Sequence, residues 1–364
     1  MLLNELAGKR VLVTGHAGFK GSWLTFLLNA LGAKVYGYSL LPDNGPRLYE
    51  ILQLPQLLQD ECIADIRDLN QLQRFITHTE PELVLHLAAQ PLVSKGYLDP
   101  LTTFQTNVIG TLNVLEACRN CHSVKAVVNV TTDKCYENNE DGRPMLESDP
   151  LGGYDPYSAS KACSEIVSSS YRRSFLYEES SYLLATARAG NVIGGGDWAP
   201  GRLIPDCVRA LSHQKPIVIR HPQSTRPWQL VLEPLVGYLC LGVRLLQGDR
   251  NCAQSYNFGP QPQEVLTVKD VASIAIQAWG SGELRIEEDF TFHEAGLLTL
   301  DIRKAQKDLD IVPVLNAREA IEWSMRWYRL LYQDMLSDMR DISFEQFADF
   351  LDHARAQGRS WAND

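Results

Sequence analysis

Residues 9–23 read KRVLVTGHAGFKGSW. The run Lys9–Thr14 is apolar and rich in valine, the pattern of a strand buried on both faces. Three glycines follow, Gly15, Gly18 and Gly21, and the spacing from Gly21 to Leu31 is helical. Strand, glycine turn and helix in this order build an anion site. Glycine lets the backbone turn sharply and come close to a ligand. The first helical turn offers free N–H groups at the positive end of the helix dipole. A dinucleotide pyrophosphate suits such a site, with Gly15, His16, Gly18, Phe19, Lys20 and Gly21 around it.

Outward from this loop the chain alternates strand and helix. Strand patterns fall at Lys34–Ser39, Glu82–Ala88, Lys125–Thr131 and Ser181–Arg188. Helical patterns fall at Asp68–Thr77, Thr103–Cys118 and Tyr157–Phe175. This alternation predicts an α/β fold of the Rossmann type, a doubly wound parallel sheet with helices on both faces. After Gly190 the alternation breaks under a series of prolines and glycines. The expected organisation is a dinucleotide-binding domain over 1–188, a smaller substrate-binding lobe over 189–332 interleaved with the sheet, and a helical tail over 333–364. Helices are expected in the second lobe at Val268–Trp279 and Ala317–Tyr332.

The chain has 364 residues, 45% hydrophobic and 21% charged, an ordinary globular balance. Its net charge of −10 argues against a nucleic-acid partner, which needs a basic stripe. Eight cysteines form no CxxC and have no histidine pair beside them, so neither a metal site nor disulfides are expected. The N-terminus lacks a signal-peptide layout. The longest apolar run, Pro234–Val243, is far short of the roughly 20 residues that cross a bilayer. A soluble cytoplasmic protein with no membrane partner is the expectation.

Tyr157-Ser-Ala-Ser-Lys161 places a phenol and an ammonium at i and i+4, on one helical face. A phenol titrates near pH 10, and a neighbouring cation favours the phenolate, which makes a base. Thr131-Thr132-Asp133-Lys134 directly follows the strand pattern KAVVNV. In a parallel sheet ligands lie at the carboxyl ends of strands, so this tetrapeptide belongs beside the same ligand.

TGHAGFKGSW (14–23), HLAAQPLV (86–93), TNVIGT (106–111), VNVTTDKCYEN (128–138), DPYSASKA (155–162), ARAGNVIGGGDW (187–198) and RPWQLVLEPL (226–235) together carry a resemblance. The chain resembles the extended short-chain dehydrogenases, and within them most closely the CDP-glucose 4,6-dehydratases. The likeness runs over nearly its whole length. The related dTDP-glucose enzymes carry Asp-Glu where this chain has Asp133-Lys134.

The resemblance implies a nucleotide-sugar substrate, NAD as cofactor and a 4-keto-6-deoxy product. Tyr157 takes the proton of the sugar 4-hydroxyl with Thr132 in the relay, and Asp133 protonates the departing 6-hydroxyl. Lys161 supports Tyr157. Lys134 either removes the C5 proton or orients Asp133 and stabilises an enolate. Ala88, Ala89 and Gln90 pass beneath the nicotinamide ribose, and Asn107 and Thr131 complete the cofactor set. Asp65 and Ile66 either meet the adenine or, for Asp65, cap the next helix. Asn191, Arg202, Arg220, Arg226 and, more weakly, Arg303 serve the diphosphate. Glu233 holds a sugar hydroxyl or Arg226, and Trp228 is lid or core. His86 reads as a satisfied core histidine and His16 as a cofactor contact. The second strand ends without an acidic residue, so NAD over NADP is only a lean. A homodimer or homotetramer is implied through the helices at Thr103–Cys118 and Tyr157–Phe175. A sugar-nucleotide 4-epimerase and a non-catalytic NAD-binding regulator are the competing readings.

Overall fold

Seven strands form one fully parallel sheet in the computed structural model, which describes residues 1–41, 46–138, 142–176, 182–261, 265–287, 298–334 and 338–363. They are β1 (Arg10–Thr14), β2 (Lys34–Ser39), β3 (Asp60–Ile63), β4 (Leu83–His86), β5 (Ala126–Val130), β6 (Leu183–Ala189) and β7 (Ser255–Phe258). Their spatial order is β7-β6-β5-β4-β1-β2-β3. This is the expected doubly wound α/β sheet. Alternate side chains of each strand enter opposite cores, as pleating requires. Val11, Val13, Leu83, Leu85 and Val128 share one core, and Leu12, Val84, Val127 and Leu184 the other.

Helices cover both faces. They are α1 (Phe19–Ala30), α2 (Leu69–Thr79), α3 (Gly110–Arg119), α4 (Pro156–Ser174), α5 (Leu203–Ser212), α6 (Leu232–Leu246), α7 (Val268–Trp279), α8 (Ala317–Gln333) and α9 (Met339–Ala356). The first core carries α1 and α6, and the second α2 and α3. Helix α1 begins two residues earlier than its apolar spacing indicates, because Gly18 is its N-cap. The stretch expected as one helix over Thr103–Cys118 is three pieces. A short helix Pro100–Phe104 leads into a π-turn at Gln105–Ile109 and then α3. The wider turn aims the Asn107 side chain at the sheet, a common use of such bulges.

Two sheet strands carried no readable pattern. β3 and β7 are the two edge strands, each four residues long and each paired on one side only. Ser181, read as opening β6, lies outside the described residues, as does Asp43 after β2. Beyond Gly190 short ladders replace long strands. Val192–Ile193 pairs with Gln229–Leu230, and Thr225–Pro227 with Val265–Thr267. The chain then returns to the sheet through α6 and β7. The C-terminal α9 is docked on α8, where Trp327 Nε1 donates to Ser343 Oγ at 2.9 Å. Among the described residues no helix is long and apolar enough to cross a membrane.

Candidate active site

The glycine loop has the geometry its sequence demands. Gly15 has φ +75°, and a Cβ there would stand 2.7 Å from the Ala88 nitrogen. A Cβ on Gly21 would drive into the Gly15 carbonyl oxygen. The N-cap of α1 is Gly18, which offers no side-chain acceptor to the first turn. A cradle closed to side chains, under uncapped N–H groups, fits a dinucleotide pyrophosphate.

His16 departs from its expectation. It is fully buried and points into the protein, with Nε2 2.9 Å from the Glu61 carboxylate. Its ring fills the space over Gly37, where a Cβ would come within 2.7 Å. Tyr49 donates to the same carboxylate at 2.8 Å. Burial lowers the imidazole pKa. Sequence spacing gives no hint of Glu61 or Tyr49, which arrive from β3 and from a short helical turn.

Asp65 does not cap the following helix. Asp68 does, accepting from Gln71 N at 3.0 Å. The Asp65 carboxylate grips Arg67 through Nε and Nη2 and is held low by it. Ile66 is buried below Gly110. His86 is a satisfied core residue, bonded to Thr14 Oγ1 at 2.7 Å and Thr111 Oγ1 at 3.2 Å. Burial, aided by Lys161, pulls it down to about 3. Ala88 N donates to Thr14 Oγ1 at 3.3 Å. After Ala89, Gln90 is pinned by Asn107, which accepts from its N–H at 2.8 Å and donates to its carbonyl at 3.1 Å. Asn107 also donates to Ser160 Oγ at 2.8 Å, tying the π-turn to α4.

Beyond β5 the backbone delivers four polar side chains in sequence. Thr131 and Thr132 end the strand region, and Asp133–Cys135 form a 3₁₀ turn capped by Thr132. Thr132 Oγ1 donates to Asp133 Oδ1 at 2.9 Å. Lys134 Nζ donates to the same oxygen at 3.2 Å and contacts Asn191 Oδ1 at 3.5 Å. Helix α4 starts at Pro156 on an Asp155 cap, which accepts from Ser158 N at 3.0 Å. Tyr157 and Lys161 follow one turn apart on this helix, both buried. Gly96 lets a neighbouring helix sit against the Tyr157 backbone, since a Cβ there would lie 3.2 Å from its nitrogen.

The charges here differ from the simple expectation. Burial raises the Tyr157 phenol, while Lys134, a hydrogen bond with Thr132 and Arg202 draw it back down. Lys161 is turned to the Val130 carbonyl, 3.0 Å away, so the cations acting on the phenol are Lys134 and Arg202. Burial depresses Lys161 to about 8 against the pull of Glu165. Burial also works to lower Lys134, but Asp133 and Tyr157 outweigh it and hold the ammonium charged. Lys20 leaves the phosphate side altogether. Its ammonium sits 6.0 Å over the Tyr238 ring, and burial with the charges of Arg202, Lys161 and Lys134 brings it to about 7.

A cleft opens beside Asp133 and is lined further by Gly190, Pro227, Gly259, Gln261 and Leu300. Of the expected substrate residues, three border this cluster. Asn191 touches Lys134, Arg202 bonds Asp197 Oδ2 at 2.7 Å and acts on Tyr157, and the Arg226 charge lowers Lys134. Others are placed differently. Glu233 is buried and accepts from the Val314 and Leu315 N–H groups at 3.0 and 2.8 Å, anchoring the approach to α8. Arg303 is 80% exposed and paired with Asp301, two residues away. Arg220 is exposed after the short strand Ile217–Ile219. Trp228 is buried core. The lining residues Gly259, Gln261 and Leu300 escaped sequence reading because they come from loops with no repeating pattern.

This chain belongs to the NAD dependent epimerase/dehydratase family, whose model matches residues 11–240. Within that family it is 43% identical over 348 residues to the CDP-glucose 4,6-dehydratase of Salmonella typhimurium, covering 93% of this chain and 97% of that one. It is 29% identical over 328 residues to a dTDP-glucose 4,6-dehydratase of Streptomyces antibioticus, covering 88% and 92%. Among solved structures, the dTDP-glucose 4,6-dehydratase DesIV of Streptomyces venezuelae, with NAD bound, superposes with a TM-score of 0.73 at 26% identity over 88% of this chain and 97% of that one.

Proposed function

We propose that this protein dehydrates CDP-glucose to CDP-4-keto-6-deoxyglucose and water, using NAD. The observation that carries the reading is convergence. Thr132, Asp133 and Lys134, which follow β5, are joined by hydrogen bonds and stand within reach of Tyr157 of α4, and Asp133 lines the cleft. The 43% identity to a CDP-glucose 4,6-dehydratase supports both reaction and nucleotide. NAD, when bound, accepts hydrogen from C4 and returns it to C6, so it ends each turnover unchanged.

The chain's own groups do the rest. Gly15, Gly18 and Gly21 with the first turn of α1 hold the pyrophosphate. Tyr157, relayed by Thr132, takes the 4-hydroxyl proton. Asp133, a carboxylate that accepts two hydrogen bonds from Thr132 and Lys134, faces the cleft; it takes the C5 proton and passes it to the 6-hydroxyl, which leaves as water. Lys134 is held as a cation, the wrong form for a base. Its charge supports the second of its two roles, orienting Asp133 and stabilising the enolate formed when C5 loses its proton. Asn191, Arg202 and Arg226, beside Lys134 and Tyr157, are suited to bind the diphosphate. An epimerase needs no acid at C6, and Asp133-Lys134 argues against one. The product class suits cytoplasmic deoxysugar biosynthesis of the O-antigen and lipopolysaccharide type.

Incubation with NAD and, separately, CDP-glucose, dTDP-glucose, UDP-glucose and GDP-mannose tests this. We expect a 4-keto product with loss of water by mass from CDP-glucose, and little from the others. No loss of water from any of the four would refute a dehydratase.

A further inference from the structure

Lys161 is followed one turn later by Glu165, so Tyr157, Lys161 and Glu165 form an i, i+4, i+8 stripe on α4. We propose that Glu165 is a positioning residue for this site, clamping the segment at the end of β5 to α4 one turn beyond Lys161. The inference rests on the reading of Tyr157 and Lys161 as the catalytic pair.

The clamp is direct. Lys161 Nζ donates to the Val130 carbonyl at 3.0 Å, and Thr131 Oγ1 donates to Glu165 Oε1 at 2.5 Å. Val130, the last residue of β5, and Thr131 directly after it are thus held by two consecutive turns of α4. Thr132 and Asp133 come next in the chain, so their direction is set by this staple. The other oxygen of Glu165 accepts from Thr186 Oγ1 at 2.8 Å, Arg188 Nη2 at 2.8 Å and Ser255 Oγ at 3.3 Å. One buried carboxylate therefore joins α4 to β5, β6 and β7. Arg188 extends the network to Tyr136 at 2.7 Å, whose hydroxyl donates to Asn257 Oδ1 at 2.7 Å.

Stability alone does not account for such a pair. Glu165 and Arg188 are both almost fully buried, and a buried ion pair roughly breaks even with an apolar one of the same volume. A charge here is more useful for what it does to Lys161. Around that ammonium stand Glu165 from α4, Cys135 from the turn after β5, His86 from β4 and Lys20 from α1. Burial keeps the Cys135 thiol and the His86 ring neutral at physiological pH. Burial works against the Glu165 anion too, but Arg188, Thr131 and Thr186 hold it ionised. Among these neighbours Glu165 supplies the negative charge that opposes the desolvation of Lys161.

The sign follows. Neutralising Glu165 removes an influence that raises Lys161, so the cation is lost at lower pH. The alkaline limb of kcat/KM, and of NAD affinity, then moves down. We would measure both against pH, by turnover of CDP-glucose and by calorimetry with NAD, in wild type, Glu165→Gln, Glu165→Asp and Glu165→Gln/Arg188→Met. The double variant removes both charges, so no unpaired ion threatens folding. In the Gln and double variants we expect both limbs to fall by about one unit, which makes activity at pH 8.5 relative to pH 6.5 about sixfold lower than wild type. Glu165→Asp restores most of the shift. A uniform loss of activity with both limbs unmoved overturns the proposal and leaves Glu165 a packing residue. Wild type that turns over no CDP-glucose refutes the functional reading instead. The NAD limb still decides on Glu165 in that case, and an unmoved limb refutes it.

Discussion

Lys20, Lys134 and Lys161 stand within reach of one another's charge and hold their protons differently. Lys134 is kept charged by Asp133, Lys161 is depressed to about 8, and Lys20 to about 7. The residue types alone are identical; the difference is who stands beside each. If Lys134 serves the elimination as a cation, Lys134→Gln should leave C4 oxidation intact and stall the next step. We expect kcat to fall by about 10²-fold or more while reduced cofactor accumulates at 340 nm. An equal loss with no such accumulation would place Lys134 at the first step. His86 gives a second prediction at this scale. Its folded pKa, about 3, lies below the unfolded value of about 6.5. Between those values the unfolded chain takes up a proton that the native state refuses. The contribution is therefore intact above pH 6.5 and is lost as pH falls toward 3. His86→Gln, which can still bond Thr14 and Thr111, should flatten urea-unfolding stability between pH 6.5 and 5 by about 2 kcal/mol.

At the scale of elements, the glycine loop is the most legible part of the molecule. The glycine trio could be read in one line because Gly15 needs a positive φ and a Cβ on Gly21 would strike the Gly15 carbonyl, while Gly18 caps α1. Gly21→Ala would push a methyl into the Gly15 carbonyl and widen the loop. We expect NAD affinity to fall at least about tenfold with the melting temperature changed far less, as calorimetry and thermal unfolding will show. Helices α4 and α7 were legible to within a residue, since capping and apolar period agree. The π-turn was not. Gln105–Ile109 continues the helical pattern, and only the pull of Gln90 and Ser160 on Asn107 explains its extra width. The edge strands β3 and β7 were invisible for the opposite reason. Their residues are polar or mixed, and strand character comes from the neighbour they pair with.

The whole molecule adds a surface. Leu98, Leu101, Ile109 and Ile166 are 86%, 67%, 46% and 56% exposed, along the helical stretch that ends in α3 and on α4. Exposed large apolar groups on neighbouring helices are suited to a contact with another chain. This supports the homo-oligomer that the family resemblance implied, assembled through these helices. We expect light scattering to give at least a dimer, and Leu101→Glu/Ile166→Glu to halve the mass while far-UV dichroism stays unchanged. A wild-type monomer would refute the assembly. At this scale α6 and β7 follow the irregular segment in sequence yet pack into the parallel sheet and its core.

The sheet class, the phosphate loop, the i to i+4 spacing of Tyr157 and Lys161 and the placement of Thr131–Lys134 after a central strand are written in the order of the residues. These are local facts, set by period, glycine sterics and i to i+4 geometry. Only the tertiary structure decided where long side chains spend their charge. His16 turned to Glu61, Glu233 to the Val314 and Leu315 amides, Arg303 to Asp301, and Lys20 into the catalytic field. Such choices depend on partners dozens or hundreds of residues away and on how dry each place is. Neither spacing nor composition records distance through space or burial.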